Sequence, residues 1–112
     1  MYLLSKARQS AVLVGTIFLA ATASARGAET VVDQRDLMFV PGAATIAVGD
    51  TVRFTDSDRI THNITIVYPD GSTEDKGMDR YKEDIIVHFT KPGTYQVRCL
   101  IHPMMRMTIT VK

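Results

Sequence analysis

From residue 30 onward, apolar and polar positions alternate in short runs, and each run stops at a turn residue. Thr45-Ile46-Ala47-Val48 alternates up to Gly49-Asp50, and Thr51–Thr55 resumes with Val52 and Phe54 on one face. Thr61–Tyr68 sets Ile64 and Ile66 on one face and ends at Pro69-Asp70-Gly71. A period of two bounded by Gly, Pro and Asp is the pattern of half-buried strands. Thr30–Val32 and Leu37–Val40 flank a polar Asp-Gln-Arg-Asp and stop at Pro41-Gly42, while Ile85–Phe89, Thr94–Cys99 and Met107–Val111 complete the set. The polar stretch Ser72–Asp84 predicts a loop or a short helical turn. No segment sustains a helical period, and no repeat is visible.

Seven or eight strands at this spacing predict an all-β Greek-key sandwich or barrel. The expected inward residues are Val48, Val52, Phe54, Ile64, Ile66, Val87, Phe89, Tyr95, Val97, Ile109 and Val111. His88 alternates against Val87 and Phe89 and is expected to face outward. Met38 and Met78 are expected as packing residues, and Asp56, Asp58 and the Asp79–Asp84 stretch as solvated loops.

Residues 1–25 change the setting. A basic start with Lys6 and Arg8, an apolar run from Ala11 to Ala21 and the small residues Ala23-Ser24-Ala25 have the three parts of a cleaved secretory signal. The run is too short to span a bilayer, so residues 26–112 are expected as one exported, periplasmic domain without stable membrane insertion. Such a domain buries only roughly 60–65% of its unfolded surface, and small exported domains often add a disulfide or a metal. The chain has one cysteine, which excludes an intramolecular disulfide. Its formal net charge is +1, with Lys6 and Arg8 in the leader; without a basic stripe, nucleic-acid binding is poorly supported. Nothing argues against a monomer.

The cysteine lies in Cys-Leu-Ile-His-Pro-Met-Met-Arg-Met, residues 99–107. An exported thiol is open to oxidation unless it is buried or bound. Cys99 ends one strand and His102 sits on the following turn, so thiolate and imidazole can converge on one ion. Met105 or Met107 can add a thioether, and His62, at the start of His-Asn-Ile-Thr-Ile-Val, is the available second imidazole. Two imidazoles and a thiolate with a weak thioether describe a blue-copper site, whereas zinc sites do not normally recruit methionine.

Three stretches, VGDTVRFTDSDRITHNI, FTKPGTYQVRC and CLIHPMMRMTITVK, resemble the cupredoxins, the small blue-copper proteins that include plastocyanin, pseudoazurin and amicyanin. The resemblance implies one copper ion held by His62, Cys99 and His102. It also implies a hydrogen-bonding role beside the sulfur for Asn63 and a surface-reaching edge for His102, collared by Leu100, Ile101, Pro103 and Met104. As axial ligand, Met105 has the spacing of the amicyanin-like loop and lies six residues before Val111, whereas Met107 has the spacing of the longer plastocyanin-like loop; Met105 is the expected ligand. Met107 stands where the family usually has glycine, and Leu100-Ile101 where it often has a small residue or proline.

The expected activity is single-electron transfer, not enzymatic catalysis, between a dehydrogenase donor and a cytochrome c acceptor. The alternative is a periplasmic Cu(I) chaperone or store that uses His102, Met104, Met105 and Met107; it leaves Cys99 and His62 unexplained.

Overall fold

A computed structural model describes Gly15 and residues 27–112, so the expected leader otherwise lies outside the described residues. Nine strands follow in order: β1 Glu29–Arg35, β2 Met38–Val40, β3 Ala43–Ile46, β4 Thr51–Asp56, β5 His62–Val67, β6 Thr73–Asp79, β7 Ile85–His88, β8 Gly93–Arg98 and β9 Arg106–Val111. They form two sheets, β2-β1-β4-β7 and β3-β9-β8-β5-β6. The pairs β1–β4 and β3–β9 are parallel and the others antiparallel. This is the expected all-β sandwich, with one strand more than the pattern predicts and no helix among the described residues.

Inward residues of both sheets fill the space between them. Phe54, Ile64, Val97 and Ile109 are fully buried, and Val32, Phe39, Ile46, Val87, Phe89 and Tyr95 close around them. Each large apolar side chain so placed stabilises the fold by about 1.5–3 kcal/mol. Phe39 meets Phe54 edge to face with ring centroids 6.1 Å apart.

Four expectations are corrected. Val48 is 46% exposed: β3 stops at Ile46, where the chain turns with Asp50 N–H donating to Ala47 O, so Ile46 takes the core place. Asp33–Asp36 is not a linker, because β1 continues to Arg35 and turns in two residues, Asp36 and Leu37. Both have left-handed φ, 54° and 58°, as tight two-residue hairpins favour. Thr73–Asp79 is an edge strand; apart from Met78 its side chains are polar, which erases the alternation a half-buried strand shows. Met38 and Met78 are exposed rather than packed.

Candidate metal centre

One end of the sandwich gathers the polar residues. β5 begins at His62, β8 ends just before Cys99, and the segment between β8 and β9 carries His102 and Met105. That segment is closed by its own backbone: Met105 N–H donates to His102 O at 2.9 Å, and Cys99 N–H to Met105 O at 3.3 Å. The Nδ1 atoms of His62 and His102 are 3.2 Å apart, and Cys99 Sγ is 3.6 Å from His102 Nδ1. The rings meet nearly at right angles, 75°, with centroids 5.0 Å apart. His62 and Cys99 are buried, while His102 is only partly so.

These spacings suit one ion. Donors about 2.0–2.3 Å from a metal lie 3–4 Å from one another when the angles between them are near tetrahedral or trigonal. All three atoms fall within 4.8 Å of one another. Met105, fully buried, sits at the base of the same loop, and Met107, on β9, is buried as well. Two imidazoles and a thiol converging beside a loop that carries a buried methionine match the chemistry of copper better than that of zinc or of a hard, oxygen-seeking cation.

Asn63 ties three segments together. Its backbone N–H donates to Cys99 Sγ at 3.3 Å, and its Oδ1 accepts from Leu100 N–H at 3.2 Å and from Thr65 Oγ1 at 2.7 Å. Its Nδ2 donates to Asp75 Oδ1 and Gly77 O on β6. The β5–β6 register shifts between Asn63 and Thr65, and Gly77 has φ 108°, a value side chains rarely adopt. The irregular edge strand thus offers its acceptors to the residue beside the sulfur. A hydrogen bond donated to a thiolate disperses its negative charge and restrains its position.

The acidic residues expected in solvated loops are in part buried against this cluster. Asp58 Oδ2 is 2.8 Å from His62 Nε2, and the same carboxylate accepts from Asp36 N–H at 2.8 Å and Leu37 N–H at 3.1 Å. Burial alone would raise the Asp58 carboxyl, but the bonds from His62, Leu37 and Asp36 outweigh it and hold the carboxyl below its usual value. A carboxylate on Nε2 fixes the His62 ring with Nε2–H outward and the Nδ1 lone pair toward Cys99 and His102. Its spacing, four residues before His62, was the available signal.

Asp56 and Asp79 are also buried, and Asp79 faces His62 across the β5–β6 ladder. Gln34 Nε2 donates to Asp79 Oδ2. No feature of the sequence marks either carboxylate as internal. The rest of the Asp79–Asp84 stretch is exposed, as expected, and so is His88, whose Nε2 bonds Gly49 O at 2.9 Å.

Comparison with known proteins points the same way as the donors. The copper-binding plastocyanin/azurin family matches residues 27–112. Plastocyanin of Ulva prolifera is 30% identical over 90 residues, 71% of this chain and 92% of its own length. Methylamine utilization protein MauL of Methylorubrum extorquens is 33% identical over 64 residues, 57% of this chain and 56% of its own. A reduced Cu(I) form of an amicyanin variant superposes with a TM-score of 0.70 at 27% identity, covering 75% of this chain and 82% of that one.

Proposed function

The chain belongs to the plastocyanin/azurin family of copper-binding proteins, the cupredoxins, and from that premise we propose that it is a periplasmic blue-copper protein carrying single electrons between redox partners. The observation that carries this reading is the convergence of His62 Nδ1, His102 Nδ1 and Cys99 Sγ in a buried cluster with only His102 reaching toward solvent. Copper supplies the electron chemistry by alternating between Cu(II) and Cu(I).

The remaining work falls to the residues. His62, Cys99 and His102 would hold the ion, and Met105 would add a thioether. Asp58 and Asn63 restrain the imidazole and the sulfur, so the donors move little between oxidation states. Val97, Met107 and Ile109 are buried on the two strands that lead into and out of the loop. With four donors engaged, no position is left for a substrate, which favours a carrier over an enzyme. The partly buried His102, flanked by exposed Leu100, Ile101, Pro103 and Met104, is the electron's way out, and small apolar contacts of this kind suit brief docking. A Cu(I)-delivery loop is less well supported: Met105 and Met107 are buried, so that loop offers its surface a single thioether, Met104.

The methylamine-utilization relatives and the amicyanin-like loop favour a dehydrogenase as donor and a cytochrome c as acceptor. Export rests on residues 1–25, and N-terminal sequencing of periplasmic protein should find Arg26 first; an uncut chain would refute it.

The decisive experiment adds one equivalent of Cu(II) to residues 26–112 and records visible absorption and EPR spectra, with Cys99→Ser alongside. An intense thiolate-to-copper band with narrow hyperfine splitting, lost in the variant, is expected. A colourless protein that takes up only Cu(I) overturns the reading in favour of copper delivery.

A further inference from the structure

The end of the sandwich far from the metal donors is open between the sheets. β5 starts at His62 and ends at Val67, and a strand of that length spans roughly 20 Å. Beyond its end lies a cavity of about 150 Å³, walled by Ile66, Tyr68 and Tyr95 on the β5–β8 side and by Val87 and Phe89 on the β7 side. Tyr95 meets Tyr68 and Phe89 edge to face, with ring centroids 5.6 and 5.0 Å apart. The polar tips along these walls are already engaged: Tyr95 OH donates to Lys91 O at 2.8 Å, Tyr68 OH donates to Glu74, and His88 Nε2 bonds Gly49 O. The cavity therefore presents rings and methyl groups, and an apolar cavity of about this volume holds one benzene ring.

Outside it, and sharing Tyr68, Lys91 and Tyr95, is a second hollow of about 240 Å³ whose other walls are Pro69, Asp70 and Pro92. Pro69 sits directly on Gly93, where a Cβ would come within 2.5 Å of the Pro69 Cγ, so the shape of the hollow depends on that glycine. Asp70 and Lys91 bring one charge of each sign to it, and neither belongs to an ion pair among the described residues. The Ser72 hydroxyl and N–H both donate to Asp70 Oδ1, at 2.6 and 2.9 Å. The hydroxyl bond first, and the N–H bond after it, hold the Asp70 carboxyl below its usual value, so the acid is ionised at neutral pH.

We propose that this end of the molecule binds a small aromatic zwitterion of the size of free phenylalanine: the ring enters the inner cavity, the ammonium meets Asp70 and the carboxylate meets Lys91. Size and charge complementarity are the argument. A ligand with a carboxylate alone leaves Asp70 facing a like charge, one with an amine alone leaves Lys91 in the same position, and an amino acid without a ring leaves the inner walls unfilled. Edge-to-face contacts of the kind Tyr95 already makes favour an aromatic ring over an aliphatic chain of equal size. Both charges are exposed, where ion pairs contribute little, so the affinity is modest, with a dissociation constant on the order of 1 mM.

L-Phenylalanine titrated into isotope-labelled, copper-free protein should shift the amide NMR signals of Tyr68, Phe89, Lys91 and Tyr95, and its ring protons should show intermolecular NOEs to the methyl groups of Ile66 and Val87. Hydrocinnamate, phenethylamine and alanine should each bind roughly threefold more weakly or worse. Asp70→Asn should weaken phenylalanine by a similar factor without weakening hydrocinnamate, and Lys91→Gln should weaken it without weakening phenethylamine, a selectivity that a general disturbance of the fold would not produce. Shifts centred elsewhere, no NOEs to Ile66 and Val87, or a singly charged analogue that binds as tightly as phenylalanine overturns the inference. The site lies far from the metal donors and the titration needs no copper, so a protein that never turns blue would refute the electron-carrier reading and leave this test to its own result.

Discussion

Replacing Asp79 with asparagine should make the copper-free protein more stable at neutral pH, although it removes a charge from a hydrogen-bonded residue. Asp79 is fully buried. Gln34 satisfies Oδ2, but Oδ1 has no partner, and nearby Asp56 Oδ2 and Gln34 Oε1 are likewise unpaired. Burial pushes the Asp79 carboxyl up to about 6; the Gln34 bond opposes this, and the charge of Asp56 adds to it. In the unfolded chain the same group titrates near 3.9. Between those values the native state binds more protons than the unfolded one, so stability falls as pH rises from about 4 to about 6 and the cost persists above that. The gap corresponds to a ceiling of about 3 kcal/mol, and relaxation around the carboxylate brings the expected gain of Asp79→Asn at pH 7 to about 1–3 kcal/mol. An amide oxygen still accepts the Gln34 bond, so no hydrogen bond is forfeited. Urea unfolding of both proteins from pH 3.5 to 8 is the assay: the advantage should vanish near pH 3.5, where both side chains are neutral. A variant less stable at pH 7, or a difference independent of pH, refutes the reasoning.

Asp58→Asn should raise the reduction potential, because a negative charge that favours Cu(II) through His62 is lost; a change of about 1–2 kcal/mol is roughly 40–90 mV for one electron, and cyclic voltammetry reads it. Met105→Leu should shift the potential and the visible spectrum, whereas Met107→Leu should leave both within error and cost less than about 1.5 kcal/mol of stability; the reverse pattern would make Met107 the axial donor. Ile64→Ala, in the fully buried centre, should cost about 2–5 kcal/mol in urea unfolding, and a loss well below that range would mean the core collapses around the cavity.

Strand alternation and donor spacing carry most of what is legible in the sequence. Val52 and Phe54 alternate cleanly because one side of β4 faces the core, and Ile64 and Ile66 alternate with Asn63 and Thr65, which are buried on the other side of β5 in polar contacts. Cys99 and His102 are recognisable because a short loop forces them near each other, and His62 because few other imidazoles exist. Tertiary context hides the rest. Thr73–Asp79 reads as a loop because its pairing to β5 supplies backbone bonds without an apolar face. Asp58 reads as a surface acid because its three donors come from a hairpin turn and from a histidine that only the fold brings close. Gln34 and Asp79 are 45 residues apart, a distance over which no local pattern operates.

Asp58 also has a mechanical meaning. Its carboxylate joins the Asp36–Leu37 turn of one sheet to the histidine that opens β5 in the other. Any slip of one sheet over the other should therefore pull on the His62 ring before it breaks a strand pair. If His62 holds copper as proposed, the chromophore is a strain gauge wired across the sandwich, and its colour should fade ahead of the unfolding that ordinary probes of secondary structure detect.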